Sequence, residues 1–201
     1  AHGDVKILLP LISAVEELKK AVAFVRKVRR ELEDEGVTMA SKVQIGSMIE
    51  VPSAALMIED FLPYIDFISI GTNDLIQYVM AVDRGNERVA HLYQPLNPAV
   101  IRLIGKVIAA ARDKKKWVGV CGEMAGDPDS ALLLIGLGVD ELSTSPAAIP
   151  AIKKVIRSIS YEQARKIAQK GLTLNSAGKI KNDLAKKILE LDEGLVENIG
   201  K

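Results

Sequence analysis

The stretch Phe67-Ile68-Ser69-Ile70-Gly71-Thr72-Asn73-Asp74-Leu75 decides the fold. A short apolar run, rich in β-branched and aromatic residues, breaks off into a polar cluster. That is how a buried strand reads when it carries functional side chains at its end. The same pattern recurs on both sides of it. Residues 5–9, 43–49, 117–120 and 141–144 also read as strands, and Glu50, Cys121, Glu123 and Ser145 stand just beyond three of them.

Amphipathic stretches separate these runs. Ser13 with Glu16 reads as a capping box opening a helix that carries Leu18, Ala21, Val22, Val25, Val28 and Leu32 at helical spacing and stops at Glu35-Gly36. Pro52 and Ser53 start a second helix through Ala54, Leu56 and Ile58. Asn97-Pro98 starts a third, with Val100, Leu103, Ile104, Val107 and Ile108 as its buried stripe. Asp127-Pro128 opens another, with Gly136 and Gly138 expected to close it. Ser145-Pro146 opens the next, Ser160 with Gln163 suggests a further capping box, and residues 175–191 read as a last surface helix.

Strand–helix alternation repeated five times predicts an α/β fold with a parallel sheet. No Gly-x-Gly-x-x-Gly follows the first strand, which argues against a dinucleotide-binding sheet. Polar residues gathered behind the strands fit the catalytic face of a barrel instead. A barrel needs eight strands, so three more are expected ahead of Ala1. The opening Ala1-His2, which runs almost at once into an apolar strand, reads as the interior of a longer protein. Residues 1–201 are taken as one domain, with residues from about 160 onward as C-terminal helices.

Lys and Arg total 27 against 26 Asp and Glu, a balance that gives no support to a nucleic-acid or polybasic membrane role. Lys114-Lys115-Lys116 reads as a solvated helix end. A single cysteine, Cys121, rules out an internal disulfide and predicts a cytoplasmic protein. No run reaches the roughly 18 apolar residues of a membrane span.

Two segments are long enough to identify a family. One is Ser69-Ile70-Gly71-Thr72-Asn73-Asp74-Leu75, continuing through Gln77-Tyr78 to Ala81-Val82-Asp83-Arg84-Gly85-Asn86; the other is Gly119-Val120-Cys121-Gly122-Glu123-Met124-Ala125-Gly126-Asp127. Both resemble the enzyme I family, the phosphoenolpyruvate–protein phosphotransferases of the bacterial sugar phosphotransferase system. Met48-Ile49-Glu50-Val51-Pro52 and His91-Leu92-Tyr93-Gln94-Pro95 fit as well. The resemblance implies a (β/α)8 TIM barrel of the phosphoenolpyruvate-utilising type, present as roughly its last five strand–helix units. It also implies magnesium, homodimerisation through the barrel, and phosphoryl transfer to a histidine on a separate N-terminal domain and then to HPr, with release of pyruvate.

The candidate site residues carry chemistry of their own. Glu50 and Asp74 end consecutive strands and can share one hard cation, although each would equally suit the start of the following helix. The resemblance makes them the magnesium ligands. Asn73 can offer its amide to phosphate oxygens or serve as a turn residue; the resemblance favours phosphate for Asn73 and the Asp74 backbone. Arg84 reads on its own as an exposed loop arginine or as a bidentate phosphate grip; the resemblance makes it a substrate ligand, joined in relatives by arginines from earlier strands. A lone cysteine reads first as a small buried hydrophobe, but an ordinary thiol is also mostly protonated at neutral pH and can donate. The resemblance accordingly casts Cys121 as the acid that protonates the enolate carbon.

Other residues stay open. Glu123 either orients Cys121 or caps a turn. His91 is not in a phosphohistidine setting, and its loop is expected to pack near the site; Met48 and Trp117 read as core or pocket wall, and His2 carries no inference. A phosphoenolpyruvate synthase or pyruvate phosphate dikinase barrel is an alternative. An inactive half-barrel acting only as a folding or dimerisation module is another, because open sheet edges invite pairing.

Overall fold

The computed structural model describes residues 5–199. His2 and the ends of the expected 1–201 domain lie outside the described residues. Five strands form one parallel sheet: β1 (Lys6–Leu9), β2 (Gln44–Ile49), β3 (Phe67–Gly71), β4 (Trp117–Cys121) and β5 (Glu141–Ser143). Their spatial order is β1-β2-β3-β4-β5, so each strand pairs with its neighbour in sequence. A doubly wound sheet reverses order at a switch point, whereas a barrel winds in one direction. The sheet is therefore a five-strand part of a (β/α)8 barrel. Every residue of central β3 is buried, while Lys6 of β1 and both Glu141 and Ser143 of β5 are exposed.

Helices follow the strands. They are α1 (Val15–Asp34), the short pair α2 (Pro52–Leu56) and α3 (Ile58–Phe61), α4 (Thr72–Met80), and α5 (Pro98–Asp113). After β4 come α6 (Glu123–Gly126) and α7 (Pro128–Leu137), then α8 (Ile149–Ser158), α9 (Tyr161–Thr173) and α10 (Ala177–Ile199). Ile49, Ile68, Ile70, Val118 and Val120 of the strands and Val100, Ile104, Val107 and Ile108 of α5 are fully buried in one core. Each such side chain contributes roughly 1.5–3 kcal/mol by leaving water.

The inner face is filled differently. Gly46, Phe67 and Trp117 share a row across β2, β3 and β4. A Cβ on Gly46 would come within 2.5 Å of the Phe67 ring, so glycine makes the space that ring occupies. Phe67 meets Trp117 edge to face at 5.7 Å, and the Lys6 ammonium lies 4.5 Å from the Trp117 ring centre. These aromatics wall the end of the barrel where the strands begin.

Most helix boundaries follow the expected chemistry. The Asn97 side chain accepts from the Ala99 N–H at 2.9 Å, and Ser160 and Gln163 form a reciprocal capping box. The Ser13–Glu16 box does not form. The helix starts one residue later, with Ala14 at its cap, and Ser13 offers its N–H to Glu17 instead (2.8 Å). Leu11, three residues before this cap, has the left-handed φ of +52°. Of the two glycines expected to end α7, only Gly138 does so, with φ +98°. Gly136 lies inside the helix, where a Cβ would stand 2.1 Å from the Ala164 carbonyl oxygen of α9.

Candidate functional site

The register brings the candidate residues to one end of the sheet. Gly71 pairs with Cys121, and Cys121 pairs with Ser143, so these three close the row where the strands finish. Glu50 follows the last residue of β2, while Asn73 and Asp74 occupy the first turn of α4. That helix begins directly from β3 with no linker. Asn73 is thus a helical residue, not part of an isolated turn, and the Asp74 carboxylate sits where the helix dipole favours negative charge.

Glu50 is 4 % exposed and caps no helix. Its Oε1 accepts the N–H of Leu11, 39 residues earlier, at 2.8 Å. Burial pushes its carboxyl above the usual range, the Leu11 hydrogen bond opposes this, and the neighbouring Asp74 carboxylate adds to the rise. A Cβ at Gly71 would lie 2.7 Å from Glu50 Oε2, so only glycine lets the carboxylate rest against β3. On the other side, Arg84 Nη2 stands 3.9 Å from Asp74 Oδ1. Asp74 therefore lies between a buried carboxylate and an exposed guanidinium.

Cys121 is half-buried at the tip of β4. Its sulfur accepts from the Ser69 hydroxyl and donates to the Ile70 carbonyl, both at 3.7 Å. Thr72, fully buried, donates its hydroxyl to the Cys121 carbonyl at 2.9 Å. Gly122 follows with φ +112°, and a Cβ there would come within 2.4 Å of Thr72 Oγ1. The Glu123 N–H then donates to Asn73 Oδ1 at 2.9 Å. Glu123 thus braces Asn73 through its backbone, and the thiol has Ser69 and Ile70 as its hydrogen-bond partners.

The loop carrying His91 packs where expected. His91 is exposed, but Tyr93 reaches in and donates its hydroxyl to the Asn73 carbonyl at 3.3 Å. Burial foremost, with the Glu123 carboxylate adding, Arg84 opposing and Asp74 adding a smaller rise, pushes the Tyr93 phenol up to about 12. A cavity of about 620 Å³ opens beside Asn73, Cys121 and Glu123, walled on its far side by Ser143, Thr144 and Ser145. Sequence reasoning missed Leu11, Ser69 and Thr72. Ser69 and Thr72 lie inside the motif that was singled out, whereas nothing in a leucine announces a contact made by its backbone.

Two carboxylates converge here, and among the described residues no group of three or more His, Cys, Asp or Glu side chains could hold a metal. Two is the number a magnesium ion takes from protein when water and substrate phosphate complete its shell. A buried carboxylate raised by a half-exposed carboxylate neighbour also fits a cation electrostatically. No described helix is long and apolar enough to cross a membrane.

Comparison with known proteins gives the family and the fold. The family model described as "PEP-utilising enzyme, PEP-binding domain" matches residues 1–161. A phosphoenolpyruvate-protein phosphotransferase of Buchnera aphidicola is 46 % identical over 182 residues, covering 90 % of this chain and 32 % of that protein. Proteins of the same name from Geobacillus stearothermophilus (45 %, 89 % of this chain, 31 % of that protein) and Haemophilus influenzae (42 %, 94 % and 33 %) are also similar. The chain spans about a third of the length of these relatives. Among solved structures, a citrate lyase from Burkholderia xenovorans LB400 superposes with a TM-score of 0.58 at 20 % identity, over 90 % of this chain and 62 % of that one, which shows a shared fold alone. The chain belongs to the family of PEP-utilising enzymes, as their PEP-binding domain.

Proposed function

We propose that this chain is the phosphoenolpyruvate site of a phosphoenolpyruvate–protein phosphotransferase. The reading is carried by the position of Asp74, between the buried Glu50 and Arg84 at 3.9 Å, one strand away from Cys121. Glu50 and Asp74 hold a magnesium ion, which when bound supplies positive charge against the phosphoryl oxygens. Arg84 grips the phosphate, as does the free NH₂ of Asn73, whose oxygen is already engaged by Glu123.

The phosphoryl group leaves for a histidine on a separate domain and passes on to HPr. Loss of the phosphoryl group leaves an enolate. Cys121 then gives its S–H proton to the methylene carbon; a C–H bond forms, a thiolate remains, and pyruvate departs. The Ser69 hydroxyl, already directed at the sulfur, stabilises that thiolate. The protein works in the cytoplasm as a homodimer. The names of the relatives favour a protein phosphotransferase over a synthase or dikinase.

The test is Cys121→Ala in a polypeptide that also carries the phosphohistidine domain. Pyruvate formation is expected to fall by about 10²–10⁴, the usual contribution of a general acid, while phosphoenolpyruvate binding stays within about two-fold. Full turnover by the variant would refute the assignment. A folding or dimerisation module is the second reading, favoured by the exposed edge strands β1 and β5. It expects concentration-dependent association in sedimentation without any phosphoenolpyruvate binding.

A further inference from the structure

Leu11 is exposed, apolar and in a backbone conformation that non-glycine residues avoid. Its φ is +52° and its side chain is 54 % open to water. Side-chain burial therefore gives little return for the strain. What the conformation achieves is to aim the Leu11 N–H at Glu50 Oε1, 2.8 Å away. The loop is tied down next to this contact, because the Ser53 hydroxyl donates to the Ser13 carbonyl at 2.7 Å and the Ile12 side chain is buried. On the opposite side Gly71 seats Oε2, with Met48 Sδ close by: an added Cβ would meet them at 2.7 and 3.0 Å. The two oxygens of Glu50 are thus unequal: Oε1 is claimed by a backbone donor, while Oε2 rests against Gly71 and has no backbone donor among the described residues.

We propose that Leu11 is a positioning residue whose backbone N–H holds Glu50 as a one-oxygen ligand, so that the site selects a small octahedral cation such as magnesium or manganese and discriminates against calcium. The physical ground is coordination number. Calcium takes 6–8 oxygens and often uses both oxygens of a carboxylate, whereas magnesium takes near-ideal octahedral geometry with single oxygens. A Glu50 released from Leu11 can turn both oxygens to the ion and lower this discrimination. The inference rests on the reading of Glu50 and Asp74 as metal carboxylates.

The test uses this chain with manganese as probe, read by water-proton relaxation, and with magnesium and calcium as competitors. Replacing Leu11 by its α-hydroxy acid exchanges the N–H for an ester oxygen and keeps the side chain. Leu11→Gly keeps the N–H and removes both side chain and strain. The ester is expected to narrow the magnesium-over-calcium preference by about ten-fold, the size typical of lost outer-shell contacts. Leu11→Gly is expected to keep the wild-type preference while melting at a higher temperature. An ester chain with the wild-type preference, or a Leu11→Gly chain whose preference narrows, overturns the role of the N–H. Glu50→Gln and Asp74→Asn separate the two levels: manganese binding unchanged in both removes the metal reading itself, whereas binding lost in both with an unchanged ester preference removes only the role of Leu11.

Discussion

Asn73 Oδ1 accepts the Glu123 N–H at 2.9 Å, and this one bond ties the start of the helix after β3 to the turn after β4. It also fixes which way the amide points, since an oxygen engaged with Glu123 leaves the NH₂ as the free end. Structure and binding can therefore be separated at one position. Asn73→Asp keeps an acceptor for Glu123 but replaces the donor by a negative oxygen. Its melting temperature is expected to stay near that of the wild type, while phosphoenolpyruvate binding weakens more than ten-fold, about 1.4 kcal/mol. Asn73→Ala should lose both, because it removes the Glu123 hydrogen bond, a net loss of about 0.5–1.5 kcal/mol at this exposed position. Calorimetric titration paired with thermal melts distinguishes the two; equal melting losses in both variants would contradict the account.

The buried Glu50 carboxyl predicts a pH dependence with a definite sign. Glu50 has its carboxyl raised in the folded state by burial, with Asp74 adding to it. The folded chain therefore holds that proton more tightly than the unfolded chain. The associated stability is fully present below the ordinary glutamate range and is lost as pH rises through the raised folded value. Without divalent metal, melting temperature should fall across that window, and Glu50→Gln should flatten the fall and melt higher at neutral pH. Magnesium should raise the melting temperature of the wild type at neutral pH by mass action and leave Glu50→Gln unmoved. Scans at several pH values with and without magnesium check both signs.

Gly136 gives a prediction against helix propensity. Alanine in a helix interior is favoured over glycine by roughly 1 kcal/mol. Here a Cβ would stand 2.1 Å from the Ala164 carbonyl oxygen, a main-chain atom that cannot turn aside. Forced separation of α7 and α9 is expected to outweigh propensity, with Gly136→Ala destabilised by a net of about 1–3 kcal/mol. Urea unfolding measures it, and a stabilised variant would mean the two helices are not in close contact.

The strands and the end of the sheet that carries the site were legible because a buried parallel strand is apolar throughout and the polar residues after it have nowhere else to go. The caps at Asn97 and Ser160 were legible because they act within three residues. The Ser13 box failed although the same short-range pattern was present: Ser13 lies one residue outside the helix cap and gives its N–H and hydroxyl to Glu17 instead. Helix α4 was missed because Gly71-Thr72-Asn73 reads as a turn until tertiary packing buries Thr72 against β4. The Leu11–Glu50 contact spans 39 residues and uses a backbone donor, so no local pattern encodes it. Gly136 looked like a terminator because the helix that requires its bareness lies 28 residues downstream, at Ala164.

In the proposed site, Asp74 is the meeting point of metal and phosphate. The most direct measurement is a ¹H–¹⁵N spectrum of the chain titrated with phosphoenolpyruvate in the presence of magnesium. Amide shifts are predicted at Gly71 to Asp74, Arg84 and Cys121 to Glu123, with weak affinity, absent without magnesium and abolished in Asp74→Asn. Shifts that persist in Asp74→Asn, or that fall elsewhere on the chain, would contradict it.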